Sequence, residues 1–177
     1  VRPRSPVQVH FLKGPFIMVS SFDPNVFLHA QTTEVNEKRP PLPADNPAAE
    51  DALYLAVIGE IKTASGTIEK GDRAGQPWVS MLVPLRIQVP PEVQSIGLNP
   101  ELTLTDRVFL DLTPQGTLDN SKGKNRQQRV YREATGMNKP GEAFSWSMLQ
   151  GRTVKVKLTH ELYNGEIVER ISNILPS

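Results

Sequence analysis

Hydrophobic and polar residues alternate most cleanly near the C-terminal end of the chain. Val154, Val156 and Leu158 are interleaved with Lys155, Lys157 and Thr159, the two-residue period of a half-buried strand. Asn164-Gly165 follows, a pair that accepts the positive φ values of a type I′ turn, and residues 167–174 read as the returning partner strand. The same alternation closes a strand predicted over residues 78–89. Leu85, Ile87 and Val89 fall on one face and Arg86 and Gln88 on the other. Pro84 lies inside that strand and calls for an edge position or a bulge. Residues 53–62 are rich in β-formers, and Gly59 in their midst predicts a bulge or sharp bend. A polar loop over 64–77, a connection over 90–100 and a third strand over 107–113 complete the first half of the body. Helical spacing is expected over 125–135, with Val130 and Ala134 on one face and Gly136 as the stop. A second short helix is expected over 142–150. Far upstream, Asp23 can cap a short helix over 24–30, with Pro24 at its first position.

Strand, strand, strand, helix, strand, strand is the order of an OB-fold. The expected class is therefore mainly β: a five-stranded OB-like barrel with a helix between strands 3 and 4 and an extended N-terminal arm. Bulges at Gly59 and Pro84 would supply the curvature that a small barrel needs. Residues 1–50 are expected to form the extension and a Pro-rich linker, and residues 51–177 the barrel domain. The linker follows from residues 38–47, which hold four of the chain's 16 prolines; each fixes φ and removes a backbone donor.

Composition narrows the chemistry. With 177 residues, 38% hydrophobic and 22% charged, there is room for one modest core plus extensions. No apolar run approaches the roughly 20 residues of a membrane helix. The absence of cysteine removes disulfides and thiolate metal sites and fits a reducing, cytoplasmic setting. His10, His29 and His160 follow no metal-ligand spacing. Met18 opens a segment resembling a natural start, so residues 1–17 read as an extension foreign to the native protein. Without its cations Arg2, Arg4 and Lys13, the net charge falls from +1 to −2. Only local charge can then speak for a polyanionic partner.

Catalytic patterns are missing. Residues 116–125 resemble a phosphate-binding loop, but the glycine spacing is too long, and Asn125 stands where a Ser or Thr would hold magnesium. Asp106, Asp111 and Asp119 read as solvated or capping acids near strand ends. A binding module is expected, not an enzyme, with no cofactor and no metal.

A basic run carries the positive signal. Lys122, Lys124, Arg126, Arg129 and Arg132 fall within eleven residues with no acid among them, a feature suited to a polyanion or to a solvated helix face. Arg152, Lys155 and Lys157 add cations to the outer face of the terminal hairpin, and Arg86 does so on the second strand. Rings beside such cations can stack bases. Trp78 and Tyr54 are the main candidates, Trp78 foremost because it follows the glycine-bearing loop, with Tyr131 and Tyr163 behind them. Phe144 and Trp146 read as core. The expected site is thus Tyr54, Trp78, Arg86, Lys122, Lys124, Arg126, Arg129, Arg152, Lys155 and Lys157.

Phe109-Leu110-Asp111-Leu112-Thr113, Lys122-Gly123-Lys124-Asn125, Arg132-Glu133-Ala134-Thr135-Gly136, Gly151-Arg152 and the final hairpin together resemble small bacteriophage early-region proteins of the single-stranded DNA-binding kind. The resemblance spans about residues 18–175. It implies an OB-fold, sequence-independent binding of single-stranded DNA and a role in phage replication or recombination, with self-association left open and no membrane partner. It departs at the last residues, Ser172 to Ser177, which lack the acidic tail through which many such proteins recruit partners. The alternative is a virion structural or assembly protein that uses its N-terminal arm as an interaction segment.

Overall fold

The computed structural model describes residues 23–33, 35 and 37–177. The chain divides into two compact units, Val1–Glu37 and Lys38–Ser177. In the first, Pro24–Leu28 forms a 3-10 helix, and the Asp23 carboxylate accepts the Asn25 N–H at 2.9 Å, the cap expected from the sequence. The assignment of residues 1–17 as foreign lies outside the described residues.

The second unit is mainly β. Its elements are β1 (Tyr54–Ile58), β2 (Lys62–Thr67), β3 (Pro77–Gln88), α1 (Pro91–Gln94), β4 (Glu101–Phe109), α2 (Arg126–Ala134), a 3-10 turn (Trp146–Leu149), β5 (Thr153–Tyr163) and β6 (Glu166–Pro176). They make one six-stranded antiparallel sheet in the order β2-β3-β1-β5-β6, with β4 paired to the other edge of β3. The sheet is not closed into a barrel, because no ladder joins β4 to β6. Instead α2 packs against both of them. The five closed strands expected from the sequence are therefore six strands with an opening spanned by a helix.

The sixth strand arises where Gly59 predicted a bend. Ile58 pairs with Leu85 and Lys62 with Leu82, so three residues on one strand face two on β3; β1 stops at Ile58, and β2 runs on to Thr67, into the segment expected to be a polar loop. The Gly59 N–H donates to the Pro84 carbonyl at 2.7 Å. A Cβ on Gly59 would lie 3.1 Å from the Pro84 ring, so glycine allows this close approach. Pro84, a central-strand residue without an N–H, is tolerated at this irregularity. The third strand begins at Glu101 rather than Arg107. Leu102 and Leu104 extend its inner face, while Leu112 makes only an isolated bridge to Leu118.

The inner face of the sheet forms the core. Tyr54, Ala56 and Ile58 meet Val83, Leu85 and Ile87 from β3 and Val154, Val156 and Leu158 from β5, all essentially inaccessible. The terminal hairpin turns through Asn164 (φ 50°) and Gly165 (φ 81°), as expected for a type I′ turn. On α2 the buried side chains are Gln128, Tyr131 and Ala134; Val130 is only half-buried.

The compact unit starts at Lys38, so the Pro-rich segment belongs to it and is not a free linker. Leu42 is fully buried in the core. Glu169 on β6 accepts from the Arg39 guanidinium at 2.6 Å and from the Leu42 N–H at 2.7 Å. His160 lies 2.8 Å from the Leu42 carbonyl. The Tyr54 hydroxyl donates to the Pro43 carbonyl at 2.9 Å. The prolines limit the conformational freedom lost when this strap docks.

Candidate nucleic-acid interface

Directly paired residues of neighbouring antiparallel strands project to the same face. Trp78, Ser80, Leu82, Pro84, Arg86 and Gln88 on β3 therefore share the outer face with Glu101, Thr103, Thr105, Arg107 and Phe109 on β4. Lys62 and Gly66 on β2 join them opposite Leu82 and Trp78. The Trp78 indole lies over Gly66, where a Cβ would come within 2.9 Å of the ring; a glycine is needed there for the indole to lie so close. Trp78 meets Phe109 edge-on, with centroids 5.8 Å apart at 66°. The Arg107 guanidinium stands 6.0 Å from the Phe109 centroid. Trp78 is half-buried and Phe109 is 54% exposed. The face thus offers one anchored ring and one open ring, with Arg107 exposed beside Phe109 and Lys62 exposed farther along, across Leu82.

A groove of about 440 Å³ lies against this pair, lined by Arg73, Gln76, Trp78, Phe109, Asp111 and Lys124 among others. Lys124 is held there by its neighbour Asn125, which is buried in the left-handed region at φ 49°. Asn125 and Asp111 exchange hydrogen bonds. The Asp111 N–H donates to Asn125 Oδ1 at 3.0 Å, and the Asn125 N–H donates to Asp111 Oδ2 at 2.7 Å. Asn125 Nδ2 also donates to the Asp119 carbonyl at 2.7 Å. This clamp ties the basic loop to the end of β4. Asparagine tolerates the left-handed conformation better than most residues, so the residue that spoiled a phosphate-binding loop in the sequence has a structural role.

The expected site residues divide into several groups. Trp78 and Lys124 share the groove, and Arg86 is exposed on the same face farther along β3. Lys122, Arg126 and Arg129 are exposed on the loop and on α2, with Arg129 paired to Glu133 at 3.5 Å. Arg152 borders a different groove with Ala134, Thr135, Thr153 and Pro176. Lys157 is exposed on β5. Lys155 is paired to Asp51 at 2.7 Å, and that hydrogen bond, aided by the Leu53 N–H, holds the Asp51 carboxyl below its ordinary range.

Tyr54 is a correction. It has no exposed surface, and burial pushes its phenol up to about 12, so its ring is a core element and cannot stack a ligand. Tyr131 is likewise buried, and its hydroxyl donates to Asp106 Oδ2 at 2.8 Å. Burial raises the Asp106 carboxyl against the lowering effect of that bond. Tyr163 is exposed at the hairpin tip beside Arg170, whose guanidinium is 6.0 Å from its ring. Phe144 and Trp146 pack against the core as expected.

Sequence reasoning missed Phe109, Arg107, Lys62 and Arg73. The alternation of Arg107, Val108 and Phe109 places the first and third of these on one face, a signal that was available. Their meeting with Trp78 depends on the β3–β4 register, which is not local in sequence. Set against known proteins, the chain matches no protein-family model and no curated protein.

Proposed function

We propose that the protein binds single-stranded DNA without sequence preference, on the outer face of β3 and β4. The observation that carries this reading is the Trp78–Phe109 pair with Arg107 and Lys124 beside it and Lys62 farther along the same face. Every base has a π-face, so stacking on such rings is nearly blind to sequence, while the cations follow the phosphates. In this reading the six-stranded sheet is an OB-like barrel left open between β4 and β6, with β1 and β2 as one bent strand. Its ligand lies across strands 2 and 3 of that scheme, where OB-folds bind oligonucleotides. The setting in phage replication or recombination, within the host cytoplasm, follows from the resemblance in sequence.

Titration with oligo-dT should quench tryptophan fluorescence. The quench should disappear in Trp78→Phe and persist in Trp146→Phe. Affinity should fall steeply as salt rises, because phosphate contacts release counterions. Unchanged fluorescence together with no mobility shift in low salt would refute the reading.

A second reading, assembly with other protein chains, is favoured by one feature. The hairpin tip exposes Leu162, Tyr163 and Ile167, an apolar group of the kind that marks interaction sites. Stable oligomers with no affinity for DNA would favour it.

A further inference from the structure

The outer face is electrically uneven along β3. Lys124 shares a groove with Trp78, and Lys62 and Arg107 flank Leu82 at the middle of the strand; at the Gln88 end Glu101 is paired opposite Gln88, and Glu50 and Asp51 rim a second groove. That groove, about 680 Å³, also takes in Leu55, Gln88 and Lys155. Lys155 is the cation a passing phosphate would find there, yet its ammonium is bound to Asp51 Oδ2 at 2.7 Å. Asp51 is itself fixed, because its other oxygen accepts the Leu53 N–H at 3.1 Å. Among the described residues, Lys62, Arg86, Arg107 and Lys124 make no ion pair.

We infer that Asp51 withholds Lys155 from the nucleic acid and so ends the path of the strand at Arg86. The inference rests on the single-stranded DNA reading above and names the residue that limits its footprint. A lysine held by a carboxylate neutralises no phosphate, so it displaces no counterion from the strand and adds nothing to the salt dependence of binding. Glu50 and Glu101 repel any phosphate carried beyond Arg86.

The test is a fluorescence titration of the full chain with oligo-dT at several salt concentrations, using the wild type, Asp51→Asn, Lys155→Gln and the double variant. Asparagine keeps the acceptor for Leu53 and removes the charge. Asp51→Asn should bind roughly fivefold tighter in low salt, with a salt slope steeper by about 0.7, the value for one added phosphate contact on a single strand. Lys155→Gln should bind like the wild type, and the double variant should lose the gain. An unchanged slope in Asp51→Asn, or weakened binding in Lys155→Gln, would overturn the inference while leaving the wild-type activity in place. Absence of binding by every variant would remove the nucleic-acid reading and this inference with it.

Discussion

Replacing Trp78 and Phe109 together by alanine should weaken binding to oligo-dT by about thirtyfold or more, since each stacked base is worth about 1–3 kcal/mol. Neither ring belongs to the inner core: Trp78 is half-buried and Phe109 mostly open. The fold should survive, with about 1–2 kcal/mol of stability lost from the edge-on pair and the cover over Gly66. Single variants should divide the loss, with Trp78→Ala the larger because that ring is anchored. Tyr163→Ala serves as the control. It removes an exposed ring beside an arginine at the hairpin tip and should leave affinity unchanged. Near-normal affinity in a folded double variant would show that the rings face the wrong ligand.

Leu42→Ala should cost about 3 kcal/mol, typical of a leucine lost from a packed core. For a unit of this size the melting temperature should drop by about 10 °C. A free linker would predict no change. The strap also carries a pH dependence. Burial pushes the Glu169 carboxyl up, but the Arg39 guanidinium and the Leu42 N–H outweigh it and hold it below its ordinary 4.5. A depressed carboxylate contributes stability above its unfolded value, and that stability disappears as pH falls through the folded value. The strap should therefore loosen as pH falls below 4.5 and through the lower folded value. Glu169→Gln should lose about 2 kcal/mol at neutral pH and flatten the acid limb of the stability profile, as expected for charge-assisted bonds. Asp106 acts in the opposite sense. Its raised carboxyl favours folding when protonated, and that contribution fades as pH rises from its unfolded value through its folded one.

The strands were legible where one face is buried and the pattern is local. Leu85, Ile87 and Val89, and likewise Val154, Val156 and Leu158, alternate without interruption and lie inside as expected. Asn164-Gly165 set the hairpin register by turn chemistry alone. Tyr54 shares the parity of Ala56 and Ile58, so its burial could have been read from the same rule that placed them. Leu42 could not. Its flanking prolines have the composition of a linker, and it is docked by the core and by Glu169 and His160, more than a hundred residues away. The site followed the same division. Trp78 could be singled out because it follows a glycine-bearing loop at the start of a strand. Phe109 gains meaning only through the β3–β4 register, and Lys155 loses its freedom to Asp51, a partner on a distant loop.

The most direct measurement is a heteronuclear NMR titration of the labelled protein with oligo-dT. Shifts are expected for the Trp78 indole N–H and for the Lys62, Arg107 and Phe109 amides, with the Trp146 indole and the Leu162–Ile167 tip unmoved. Shifts confined to α2 or to the hairpin tip, with Trp78 silent, would contradict the proposed interface.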